Sequence, residues 1–177
     1  MMREKEITNG YFVRDDGTIR TKTGKITRGT IGRTGYRNFT VYLGKHEKYA
    51  TGRSCCKGVH QFVAQAFVHN PRPDIFNMVD HIDRNPQNNH YTNLRWVNLR
   101  LNAINNRKDC VSFFSGNRNR KKPWRARIRP TSKFFATREE AVEYAREYKI
   151  KRFNEVYKEL LESEPRFKSV GVQTDVC

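Results

Sequence analysis

The sequence predicts an α+β protein, with a central β-β-α unit between two small, basic, strand-rich flanks. Three observations carry that prediction. Residues 78–106 pass from a short apolar strand through an asparagine-rich loop to a second strand and a short helical run. Segments with period-two alternation lie on both sides, and two stretches carry apolar residues at helical spacing. Charge follows the same division: residues 1–70 hold 13 basic and 5 acidic groups (net +8), 71–106 hold 4 and 3 (net +1), and 107–177 hold 18 and 10 (net +8).

The elements follow in chain order. Tyr11 to Arg14, Asp15-Asp16-Gly17 and Thr18 to Arg20 predict a hairpin, because Asp-Gly supplies the positive φ of a tight turn. From Tyr36 to Leu43, Phe39, Val41 and Leu43 alternate with polar or aromatic neighbours, the period of a strand. Val59, Phe62, Val63, Ala66 and Phe67 form one stripe of a helix that Asn70-Pro71 stops. Met78-Val79 and Leu94 to Val97 predict the central strands, and Asn98 to Asn106 the short helix. Trp124, Ala126 and Ile128 alternate with Arg125, Arg127 and Arg129, which places three guanidiniums roughly 7 Å apart on one strand face. Lys121 and Lys122 add to that face. Thr137 and Glu140 make a capping box for a final helix reaching about Leu160.

The whole-chain balance is 35 Lys and Arg against 18 Asp and Glu in 177 residues, a net charge of +17, with a pI near 10.1. That balance suits a polyanionic partner. A mean hydropathy of −0.88 and the lack of a long apolar run exclude an integral membrane protein, and the charged start lacks the apolar core of a signal peptide. The expected location is intracellular: the cytoplasm of a bacterial host, or the nucleus or cytoplasm for a eukaryotic virus or element. With 36% hydrophobic residues the chain is too apolar for a disordered basic tail. Cys55, Cys56, Cys110 and Cys177 form no C-x-x-C pair and no zinc spacing, so they read as reduced and incidental.

The near-neutral centre is where chemistry is expected. It reads V-D-H-I-D-x-N-x-x-N-N from Val79, T-N-L-R-W-V from Thr92 and N-x-x-x-N-A-x-N from Asn98. This run resembles the HNH nucleases, and most nearly the intron-encoded homing endonucleases of bacteriophages. V-H-x-x-V-A-x-x-F at Val59 to Phe67 is similar to the helix that precedes the unit in phage members, so the likeness covers residues 59–106. It implies a ββα-metal nuclease unit with His81 as general base and Asn93 as the residue that orients its imidazole. Asp80 and Asn102 are implied as ligands of one divalent ion, Mg²⁺ or Mn²⁺. Asp83, Asn85 and Asn89 read as formers of the turn, Trp96 as core packing, and His60 as a structural hydrogen-bonding group.

Those residue types suit phosphodiester hydrolysis. An imidazole, with an ordinary pKa of about 6.5, can take a proton from water near neutrality. A hard ion on oxygen ligands neutralises charge at the phosphoryl group and on the departing 3′ oxygen.

Residues 111–152, with W-R-A-R-I-R and then F-x-T-x-E-E-A, are similar to the APETALA-type domain of plant ethylene-response factors. That likeness implies a three-stranded sheet on double-stranded DNA, with Trp124, Arg125 and Arg127 as contacts. The expected organisation is a β-rich DNA-binding module at 1–58, the nuclease unit at 59–106, a sheet-plus-helix DNA-binding domain at 107–162 and a flexible tail at 163–177. The expected activity is metal-dependent, site-specific DNA cleavage, with a monomer nicking one strand. The alternatives are a DNA-binding regulator that retains the nuclease scaffold, and an RNA-binding protein.

Overall fold

The computed structural model describes residues 1–46, 49–106, 111–114, 121–128 and 131–164. These fall into two compact units, residues 1–98 and 99–164.

The first unit opens with four antiparallel strands in sequential order: β1 (Glu4–Thr8), β2 (Tyr11–Arg14), β3 (Ile19–Arg20) and β4 (Ile26–Thr27). The β2–β3 turn forms where Asp15-Asp16-Gly17 requires it. Gly17 has φ +84°, its amide donates to the Arg14 carbonyl, and Asp16 Oδ1 accepts from both the amide and the hydroxyl of Thr18. A second antiparallel sheet joins β5 (Thr30–Ile31), β6 (Arg37–His46) and β7 (Tyr49–Gly58), and α1 (Val59–Phe67) follows β7 directly. After α1 come β8 (Met78–His81) and β9 (Leu94–Val97), an antiparallel pair in which Asp80 faces Arg95 and His81 faces Leu94.

One core joins β2, β3 and β6 with α1 and β9. Val13, Ile19 and Val41 from the strands pack with Val59, Phe62, Val63 and Ala64 of α1 and with Leu94 of β9. The expected boundary at residue 58 therefore does not divide the packing. The short strands and the nine-residue helix each bury too little apolar surface alone, and they share a single core. Trp96 extends it and donates its indole N–H to the Val68 carbonyl at 3.0 Å.

The second unit holds α2 (Leu99–Asn106), then a three-stranded antiparallel sheet of β10 (Val111–Phe113), β11 (Trp124–Ile128) and β12 (Thr131–Phe135), then α3 (Arg138–Glu162). The helix after β9 thus belongs with the C-terminal residues rather than with residues 59–98. Thr137 caps α3: its Oγ1 accepts the Glu140 amide and the Glu140 carboxylate accepts the Thr137 amide. Ala126 of β11 is buried against Ala141 and Ala145 of α3, with Trp124, Phe135 and Tyr144 around them.

Cys55 is disulfide-bonded, while Cys56 is an exposed thiol. This corrects the reading of all four cysteines as reduced: a fold pairs cysteines distant in sequence, which local spacing does not report. Residues 165–177 of the expected tail lie outside the described residues. Among the described residues no helix is long and apolar enough to cross a membrane.

Candidate active site

Strand β8 ends with two adjacent buried polar residues, Asp80 and His81, each 4% exposed. The cross-strand register sets Arg95 opposite Asp80, and its guanidinium donates Nε and Nη2 to Asp80 Oδ2 at 3.0 and 2.9 Å. A carboxylate this buried requires such a partner.

His81 Nε2 lies 3.0 Å from Asn89 Oδ1, in a bond buried at both ends. An amide oxygen only accepts, so Nε2 carries the proton and, in the neutral ring, Nδ1 carries the lone pair. The ring packs against two others, Tyr36 at 5.7 Å and His60 at 5.1 Å between centroids, and Tyr36 and His60 are themselves 5.2 Å apart. Burial pushes the pKa of His60 down to about 4, with repulsion from His81 adding to it. The Nδ1 of His60 is buried without a hydrogen-bond partner.

Asn93 was expected to orient His81, and the structure places its side chain elsewhere. Its Oδ1 accepts the Asp83 amide at 3.1 Å, while its Nδ2 donates to Asp83 Oδ1 and to the Asn88 carbonyl, both at 2.9 Å. The cause is local. The 3₁₀ turn Tyr91–Asn93 leads into β9 and aims Asn93 along the loop, so that it ties the loop's two ends. Burial alone would raise the Asp83 carboxyl, but hydrogen bonds from Asn88, the Asn85 amide and Asn93 outweigh it and hold the group below the usual carboxylate range.

Asn89, read from sequence only as a turn former, is the side chain that meets the imidazole. The sole sequence signal was its place in the Asn88-Asn89 pair, which does not reveal which amide turns inward. The β2–β3 turn holds it in place. The Tyr91 amide donates to the Asp15 carbonyl at 2.9 Å, and a β-carbon on Gly17 would stand 2.8 Å from that of Asn89.

Asn102 lies on α2 in the second unit, where its Oδ1 accepts from Asn106 Nδ2 at 2.6 Å. The carboxylate of Asp80 and the amide oxygen of Asn102 are hard donors of the kind that bind Mg²⁺, so the donor chemistry fits such an ion. Among the described residues, no group of three or more His, Cys, Asp or Glu is placed to hold a metal.

On the second unit's sheet, Arg125 and Arg127 occupy the face opposite Ala126. Arg127 is exposed, and the Arg125 guanidinium lies 5.5 Å from the Phe114 ring with its Nε buried and unpartnered. Lys121 and Lys122 are exposed. Trp124, expected as a DNA contact, is on the other face with Ala126 and stacks edge-on to Phe113 at 5.3 Å, so it is a packing residue. Arg129 lies outside the described residues.

The site is thus a buried Asp-His pair on a β hairpin with an asparagine-tied loop, and comparison with known proteins shows similarity to HNH endonucleases. The chain is 30% identical over 111 residues to an uncharacterized HNH endonuclease, L245, of Acanthamoeba polyphaga mimivirus, covering 62% of this chain and 31% of that protein. It is 32% identical over 96 residues to the DNA endonuclease I-HmuI of Bacillus phage SP01, covering 54% of this chain and 50% of that protein. A solved structure on DNA binding and cleavage by the HNH homing endonuclease I-HmuI matches 59% of this chain and 56% of that one, at 29% identity and a TM-score of 0.47. The chain thus spans half or less of the length of its two curated relatives. No family model matches, and the likeness of residues 111–152 to the APETALA-type domain finds no support among these comparisons.

Proposed function

We propose that the chain is a metal-dependent DNA endonuclease of the HNH homing type that cleaves site-specifically. The observation that carries this reading is the His81–Asn89 bond beside buried Asp80, in a chain similar to two named HNH endonucleases. His81 acts as the general base: Asn89 holds Nε2–H, and Nδ1 takes the proton from the attacking water. The water oxygen bonds to phosphorus, the bond to the 3′ oxygen breaks, and the products are a 5′-phosphate and a 3′-hydroxyl. Asp80 and Asn102 would be the residues to hold a divalent ion, Mg²⁺ or Mn²⁺, which would supply charge neutralisation at the phosphoryl and leaving oxygens. The place of Asn102 in this pair rests on the motif spacing. Asn93 maintains the loop that presents the other groups.

The partner is double-stranded DNA, gripped by Arg125 and Arg127 with Lys121 and Lys122, which together would neutralise several phosphates. A monomer with one such site nicks one strand per binding event. Relaxation of supercoiled plasmid in Mg²⁺ but not in EDTA, lost in Asp80→Asn, tests the proposal, and relaxation that persists in EDTA refutes the metal dependence. The Asp80–Arg95 ion pair favours one other reading, in which the carboxylate is structural and the chain binds DNA without cutting it.

A further inference from the structure

Asn89, which meets His81, also lines a polar chamber of about 320 Å³ in the first unit that the reaction described above does not use. Its walls include Arg28, Arg37, Asp16, Asn85, Gln87 and Asn89. We infer that this chamber is a phosphate subsite, where Arg28 and Arg37 hold a backbone phosphate of the DNA strand beside the cleavage site.

Charge is the first argument. Two guanidiniums face one carboxylate, and Asp16 already directs its Oδ1 to the Thr18 amide and hydroxyl at 2.9 and 2.7 Å. The second is an unmet donor. Arg37 extends from β6 with Nη2 only 3.3 Å from Gln87 Oε1, while its Nε–H is buried and without a hydrogen-bond partner. Leaving a buried cationic donor unpaired is costly, and an oxygen anion seated against the guanidinium edge would satisfy it. The third is shape and chemistry. Amide side chains line the remaining wall, and a guanidinium pair with amide donors matches the oxygens of a phosphodiester better than an apolar or cationic ligand.

The location gives the subsite its meaning. Asn89 forms part of the chamber wall and also holds the His81 imidazole, so a phosphate bound here is indexed to the base through one side chain. The chamber would set which phosphodiester reaches His81, a register function separate from the affinity supplied by the Arg125 face. This inference rests on the DNA endonuclease reading.

The test measures affinity for double-stranded DNA with the full chain in EDTA, where cleavage plays no part, across a range of salt. Arg28→Gln, Arg37→Gln, the double variant and Gln87→Glu are compared with the parent and with Lys158→Gln, a charge control on exposed α3. Thermal unfolding of each variant identifies any that fails to fold, and exposed Arg28 keeps the test independent of Arg37. The subsite predicts about tenfold weaker binding for the double variant and a salt slope shallower by about 0.9, the value for one lost phosphate contact. Gln87→Glu should weaken binding at least as much, because it places a carboxylate in the chamber. Variants that all track Lys158→Gln within twofold, while the parent binds DNA, overturn the subsite and leave the endonuclease reading standing. A parent that does not bind DNA overturns both.

Discussion

The His81 imidazole and the Asn89 amide meet at 3.0 Å, eight residues apart across the β8–β9 connection, with both side chains almost wholly buried. A bond of this kind fixes the ring's orientation and tautomer together. It separates two asparagines that the motif alone does not distinguish: Asn89 holds the imidazole and Asn93 holds the loop.

The first prediction follows from that division. Asn89→Ala should lower kcat by about 10- to 100-fold with little change in KM, the usual cost of removing the partner that orients a reacting histidine. Asn93→Ala removes bonds to Asp83 and the Asn88 carbonyl and should act mainly on stability, by about 1–3 kcal/mol. Denaturant unfolding alongside steady-state kinetics checks both, and a reversed pattern would restore Asn93 as the orienting residue.

Gly17 should tolerate no side chain. Its φ of +84° and the 2.8 Å approach to Asn89 act together, so Gly17→Ala should cost about 2 kcal/mol or more in urea unfolding. An unchanged midpoint would show that the turn and Asn89 are not packed as described.

Much of the fold was legible in the sequence where local chemistry and tertiary structure agree. The Asp-Gly turn, the stripe of α1, the strands flanking the central loop and the Thr137 capping box all carry their own signal. Strand β7 does not: Arg53-Ser54-Cys55-Cys56-Lys57 lacks apolar alternation, and pairing with β6 makes it a strand. The motif located Asp80 and His81 because the two are adjacent in the chain. It missed Asn89, Tyr36 and the ring contacts of His60, because the fold brings those side chains to His81 from separate elements. The core that Val13, Ile19 and Val41 share with α1 also crosses residue 58, because elements this small pool their apolar surface.

Stability should fall in mildly acidic solution through His60. Its folded pKa of about 4 lies below the ordinary imidazole value of 6.5, so between these values the unfolded chain binds the extra proton. The contribution is complete above pH 6.5 and declines as pH falls toward 4, by up to about 3 kcal/mol. His60→Gln should therefore flatten the dependence of unfolding free energy on pH between 7 and 4.5. An equally steep dependence in the variant would mean that other groups carry it.

Arg95 should prove structural until a cation replaces it. Arg95→Gln leaves the buried charge of Asp80 without its guanidinium and should destabilise the chain by about 3–5 kcal/mol in EDTA. Mg²⁺ should then raise the unfolding temperature of the variant more than that of the parent. Equal shifts would argue against Asp80 as a ligand.

The central claim is that His81 is the base of a metal-dependent DNA endonuclease, and one measurement tests it most directly. The parent and His81→Ala are incubated with genomic DNA in Mg²⁺ or EDTA, and every new 5′ end on both strands is mapped by sequencing. The account predicts 5′-phosphate ends at a recurrent sequence, present only with the parent and the metal, while His81→Ala still binds DNA. Ends produced equally by His81→Ala, or none from a parent that binds DNA in a salt-sensitive way, would contradict it.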